Sequence, residues 1–261
     1  MDLGISGRTA LVFGAGGGLG GAIATALAGE GVRVGLADIN GDALAGIDGR
    51  LRGAGAQTVA VEWDLADTDG AADRLAAVEA ALGPVDILVN NTGGPPPSSV
   101  AGQSADVWQS YFRSMVLAVI GVTDLVLPGM VERGWGRVIT STSSGVIAPI
   151  PNLGLSNTLR SALVGWSKTL AGEVGRSGVT SNIVLPGRIA TDRIRFLDEK
   201  RSEREGLPYE EVVRQSTDSI PVGRYGEPRE YGEVVAFLAS GCASYLTGSV
   251  IRVDGGYINA V

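Results

Sequence analysis

The chain has 261 residues, 44% of them apolar, enough for the core of one large α/β domain or two small ones. Its net charge of −7 excludes the basic face that a phosphate backbone requires, so no nucleic-acid partner is expected. Histidine is absent and cysteine occurs once, which removes Ser-His-Asp chemistry, His-containing zinc sites and internal disulfides, and no metal site is expected.

Apolar runs alternate with helix-like segments along the chain. Strands are expected over Thr9–Phe13 (TALVF), Val32–Ala37, Thr58–Trp63, Val85–Val89, Arg137–Ser141, Thr180–Leu185 and Val250–Val253. Helices are expected between them, among them Gly20–Gly29, Asp106–Arg133 and Asn157–Arg176. Strict β/α alternation implies a parallel sheet covered on both faces, and right-handed crossovers make it one doubly wound α/β domain over residues 1–261. The 40 glycines are scattered, no repeat of solenoid period occurs, and no linker divides the chain. Thr191–Ser219 is rich in both charge signs, which alone indicates a solvated helical excursion. Its position after the sixth strand, where such sheets bind ligands, favours a substrate lid over about 189–219. Residues 1–8 contain no signal peptide pattern, and no apolar run reaches the ~18 residues of a membrane span. A lone Cys242, read as inert packing, suits a reducing cytoplasm.

Between the first strand and first helix lies Gly14-Ala15-Gly16-Gly17-Gly18-Leu19-Gly20. A turn without side chains lets a phosphate pair approach, and the helix N-terminus offers free N–H groups at the positive end of its dipole. Asp38 closes the second strand, where a carboxylate accepts hydrogen bonds from adenosine ribose hydroxyls and repels a 2′-phosphate. Neither Gly17 nor Ile39 is basic, so the pattern reads as a site for NAD(H) rather than NADP(H).

The spacing Gly14-x-x-x-Gly18-x-Gly20 resembles the short-chain dehydrogenase/reductase family, and further motifs follow in the family's order. Asp64 matches the acid that contacts adenine. Asn90-Asn91-Thr92-Gly93 matches the family's Asn-Asn-Ala-Gly, and Ser143 its catalytic serine. Pro186-Gly187 with Ile189 and Thr191 matches the segment that holds the nicotinamide carboxamide. Residues 220–228 and 253–257 resemble its C-terminal signatures. The resemblance is to classical, 3-oxoacyl-carrier-protein reductase-like members. It implies a Rossmann fold, a small-molecule substrate and a homodimer or homotetramer packed through the two long helices.

The catalytic pattern departs from the family's Asn–Ser–Tyr–Lys tetrad. Family spacing puts Met115 at the Asn position, Ser156 at the Tyr and Arg160 at the Lys. Serine is a poor acid near neutrality and arginine does not act as a base. The i, i+4 spacing still sets Ser156 and Arg160 on one helix face. Three functions follow: an NAD(H)-dependent oxidoreductase on a carbonyl, alcohol or imine using Ser143, Ser156 and Arg160; a silent NAD(H)-binding sensor or scaffold, with Arg160 merely salt-bridged; or a dehalogenase-like lyase. Tyr111, one turn before Met115, is a further candidate acid. Gly94-Pro95-Pro96-Pro97 is read as a stiff lip of the substrate pocket or a plain loop breaker.

Overall fold

The computed structural model describes residues 2–260. Seven strands form one parallel sheet: β1 (Thr9–Phe13), β2 (Arg33–Asp38), β3 (Thr58–Glu62), β4 (Ile87–Asn90), β5 (Gly136–Ser141), β6 (Val179–Pro186) and β7 (Val250–Val253). Their order is β3-β2-β1-β4-β5-β6-β7. The order reverses between β1 and β4, so the crevice for a ligand lies beyond the carboxyl ends of those two strands. β1, β4 and β5 are buried throughout, which is why they read as continuous apolar runs rather than alternating ones.

The helices are α1 (Gly18–Gly29), α2 (Gly41–Gly53), α3 (Ala71–Leu82), α4 (Ala105–Phe112), α5 (Ala118–Glu132), α6 (Gly154–Val174), α7 (Asp192–Glu205), α8 (Tyr209–Asp218) and α9 (Pro228–Ala239). On one face of the sheet, Ile23 and Leu27 of α1, Ile47 of α2 and Val235 and Leu238 of α9 bury Val12, Val34 and Leu36. On the other, Leu75 and Val78 of α3, Val122 and Val126 of α5 and Leu170 and Val174 of α6 bury Leu11, Leu88 and Val138. Helix starts follow local chemistry. Asn40, Ser104 and Thr191 accept from the backbone of the first turn of α2, α4 and α7, and Glu227 with Glu230 forms a capping box around Pro228.

Several expectations need correction. The helix read over 106–133 is α4 and α5 fused through a π turn, Arg113–Leu117. Apolar periodicity carries no mark of a one-residue insertion of this kind. Taken whole, Ala105–Glu132 is also long and apolar enough to cross a membrane, with an 18-residue window of mean hydropathy 2.0. Counting uninterrupted apolar residues misses this because Arg113 and Asp124 break the run. Much of its apolar content instead faces the core, where Val122, Val126 and Met130 are buried. Cys242 is exposed rather than packed. Arg137 sits inside β5, 2% exposed. It donates to the carbonyls of Ser240, Gly136 and Gly178 and lies over the Trp135 ring at 4.4 Å. Burial, with Arg8 nearby, lowers its pKa.

Candidate active site

A cleft of about 860 Å³ opens at the carboxyl ends of the strands. It brings together Gly14, Gly18, Leu19, Asp38, Asp64, Asn91, Gly93, Ser143, Ser156, Arg160, Pro186, Gly187, Ile189 and Thr191. Gly20 alone among the site residues read from the sequence does not line it. A Cβ there would fall 2.0 Å from the Gly14 carbonyl oxygen, so Gly20 serves the close packing of α1 against the turn.

One end of the cleft is built from backbone. Gly14 turns at φ 64°, and a Cβ on it would meet Asn91 Nδ2 at 2.5 Å. Asn91 itself donates from Nδ2 to the Phe13 carbonyl, tying the end of β4 to that of β1. Gly17 stands at the N-cap of α1 with nothing within 4 Å of a Cβ, and no side chain caps this helix. The first-turn N–H groups of α1 therefore face the cleft with the positive end of the helix dipole. Each oxygen of Asp38 accepts one backbone N–H, from Gly16 at 3.0 Å and from Asn40 at 3.0 Å. Around Asp38 the lining is Ile39, Asn40, Ala43, Trp63, Asp64 and Leu65, without a basic side chain.

The other end is built from side chains. Ser143, at the end of β5, accepts from Gly145 N at 3.1 Å and starts a 3-10 turn. Ser156 and Arg160 lie one turn apart on α6 and are both buried, and Ser156 Oγ makes no hydrogen bond to protein among the described residues. Arg160 donates to the carbonyls of Ser141 (3.3 Å), Thr92 (3.1 Å) and Gly93 (3.0 Å). No carboxylate pairs with it among the described residues, so the salt-bridged scaffold residue considered above is not what the structure contains. Burial, then repulsion from Arg193, lowers its pKa to about 10, so it stays charged at neutrality. Met115 sits in the π turn, 2% exposed, against Leu159 and Leu163 of α6 and beside Trp108 and Tyr111. Tyr111 lines the cleft.

The loops that close this end are pinned from elsewhere in the chain. The Gly94–Pro97 lip leads into Ser98, whose N–H donates to Asn152 O at 2.7 Å, just before α6. Gly187 donates to Val253 O at 2.9 Å, and a Cβ on it would reach Asp254 Cα at 2.5 Å. Ala190 donates to Gly226 O at 2.8 Å. The 189–219 excursion is two helices, α7 and α8. α7 is anchored by Asp198, 1% exposed, which pairs with Arg188 and accepts from the Tyr225 hydroxyl at 2.7 Å. Arg193 of α7 reaches across to donate to Pro95 O at 2.8 Å.

A family model described as enoyl-(acyl carrier protein) reductase matches residues 14–258, nearly the whole chain. The chain belongs to the short-chain dehydrogenase/reductase family. Nodulation protein G of Azospirillum brasilense is 35% identical over 254 residues, 97% of this chain and 98% of that protein. Acetoacetyl-CoA reductase of Shinella zoogloeoides is 33% identical over 253 residues, 95% of this chain and 98% of that protein. The structure of L-sorbose reductase from Gluconobacter frateurii, solved with NADPH and L-sorbose, matches with a TM-score of 0.94 at 30% identity, covering all of both chains.

As a short-chain dehydrogenase/reductase, the protein is an oxidoreductase enzyme. Its cleft accommodates the family's dinucleotide: the glycine turn is stripped where a side chain would intrude, and α1 is uncapped. The Thr142 and Thr92 hydroxyls, buried without a protein partner, also line the cleft. Met115, Ser143, Ser156 and Arg160, which family spacing sets against the tetrad, all line the cleft. The buried Tyr231 does not reach the cleft. It is held by Ser141 Oγ and Val184 O outside the cleft lining, and burial raises its pKa. Sequence reasoning missed Arg193. The signal was partial: Arg195, Lys200 and Arg201 each have an acid three or four residues away, whereas Arg193 and Arg204 have none at that spacing.

Proposed function

We propose that this short-chain dehydrogenase/reductase is an NAD(H)-dependent oxidoreductase of a small carbonyl or alcohol, or of an imine, with a proton path that uses neither tyrosine nor lysine. The observation that carries the cofactor choice is Asp38. Its carboxylate closes β2 at the adenosine end, among residues without a cation to receive a 2′-phosphate. Gly14, Gly18, Leu19 and Gly20 with the α1 N-terminus would hold the phosphates. Asp64 would meet adenine, Asn91 and Gly93 would line the path between the two nucleosides, and Pro186, Gly187, Ile189 and Thr191 would meet the carboxamide. When bound, the dinucleotide supplies the hydride donor or acceptor.

The chain's own residues do the rest. Ser143 and Ser156 orient the substrate oxygen or a water that carries the proton. Arg160, fixed by three carbonyls, keeps a positive charge where negative charge develops on that oxygen. An imine substrate lessens the need for a tuned acid further, since such an acid is worth about 10² to 10⁴ in rate. The 189–219 helices act as the substrate lid, anchored at Asp198. Exposed Phe112, Leu117 and Leu125 on the α4–α5 helix support assembly as a dimer or tetramer, which light scattering after size exclusion tests. The function is tested by calorimetric titration with NADH and then NADPH, followed by absorbance assays over carbonyls, alcohols and imines. Tight NADH and weak NADPH binding with turnover is expected. Binding of neither cofactor ends the reading.

A further inference from the structure

The catalytic end of the cleft carries more positive charge than hydride transfer to a neutral carbonyl needs. α7 holds five basic residues, and four have carboxylate partners: Arg195 with Asp192, Lys200 with Glu203, and both Arg201 and Arg204 with Glu205. Arg193 has none among the described residues. It is drawn over the lip instead, by the Pro95 carbonyl and the Phe196 ring 5.8 Å away. Arg160 likewise has carbonyl partners only.

The two guanidiniums converge. A Cβ on Gly94 would stand 3.4 Å from Arg193 Nη2 and 3.5 Å from Arg160 Nη2, so both flank one bare stretch of backbone. Carbonyls orient a guanidinium without neutralising it. In a chain of net charge −7, two unneutralised cations side by side in a cleft are an arrangement that an anion relieves. Repulsion from Arg193 is indeed one cause of the lowered Arg160 pKa. Planar forks favour a planar, two-oxygen ligand.

We infer that the substrate carries a carboxylate, received over Gly94 by Arg193 of the lid with Arg160 at its base. This rests on the oxidoreductase reading above and names the substrate class of that same site. Arg193 is then a specificity-determining residue, and the lid selects for charge as well as shape. The other oxyanion that such a pair suits is the phosphate pair of the dinucleotide, and the experiment separates the two.

Calorimetry on the protein, free and saturated with NADH, would compare acetate, butyrate and benzoate with acetamide, butyramide and benzamide. Turnover of short 2-oxo and 3-oxo acids would be compared with that of their methyl esters. Acids are expected to exceed their neutral partners by about 10- to 100-fold in affinity and in kcat/KM. Arg193→Gln should bring both ratios close to one and leave NADH affinity unchanged, and Arg193→Lys should restore part of the preference. Equal binding of acids and amides, or no binding of any acid, overturns the inference even if NADH binds and other substrates turn over. A loss of NADH affinity in Arg193→Gln matching the loss for acids assigns the pair to the cofactor's phosphates and overturns it too. Failure of NADH to bind defeats the NAD(H) reading, while the acid–amide comparison on the free protein still decides this one.

Discussion

At the β1–β2 end of the cleft the wall is largely backbone, with glycines wherever a side chain would collide and the Asp38 carboxylate held by two N–H groups. At the β5–α6 end the wall is side chain: two serines, a buried arginine, a methionine plug and a second arginine from the lid. The first end is constrained by sterics, because adding one carbon at Gly14 or Gly20 forces backbone to move. The second is constrained only by volume and charge. Its side chains can differ while the scaffold stays in place: Met115 is buried in the π turn, and Arg160 rests on the carbonyls of the strand ends.

The largest expected effect breaks the backbone-built end. Gly20→Val drives side-chain atoms into the Gly14 carbonyl and should abolish dinucleotide binding by calorimetry. It should also lower the melting temperature by roughly 5–10 °C. Next, Asp38→Ser with Ile39→Arg removes the ribose acceptor and supplies a cation at an exposed position. The NADH-to-NADPH affinity ratio should fall by on the order of 100-fold, with catalysis on either bound cofactor little changed.

At the side-chain end, Arg160→Met should reduce kcat on the order of 100-fold while NADH affinity falls far less. Equal losses in both would make Arg160 a cofactor clamp only. The pH profile sharpens the contrast. Neither histidine nor a Tyr-Lys pair serves this end, so kcat should be flat from about pH 6 to about pH 9. Arg160 is active as the cation and its pKa is lowered to about 10, so activity should be present below that value and lost as pH rises through it. In stability the same shift acts the other way. The unfolded chain holds that proton more tightly above about 10, so this group's contribution rises as pH climbs from there towards the ordinary arginine range. The smallest effect lies outside both ends: Cys242→Ser should leave kcat unchanged and stability within about 0.5 kcal/mol by denaturant titration.

The difference between the two ends also decides what the sequence makes legible. Sterically required glycines leave a fixed spacing, so the turn from Gly14 to Gly20 and its acid at Asp38 can be read directly, and the strands follow from runs buried on both faces. Side chains that act through partners distant in the chain leave no local pattern. That Arg160 is held by Thr92 and Gly93 and not by an acid depends on where β4 ends against α6. The π turn at Met115 is silent because it preserves the apolar stripe. Arg193 was readable only in part, since both it and Arg204 lack an acid at helical spacing and only the fold shows that Arg204 pairs with Glu205.

The hold of Val253 and Asp254 on Gly187 has a kinetic side. The turn that lines the middle of the cleft rests on the strand beyond β6, so it gains its partners only when β7 docks at the sheet edge. The glycine turn between β1 and α1 takes its partners from Ala37, Asp38 and Asn91, whereas the Pro186–Gly187 turn waits for Val253 and Asp254, translated long after it. During synthesis, the glycine turn should therefore have its partners available before the Pro186–Gly187 turn does.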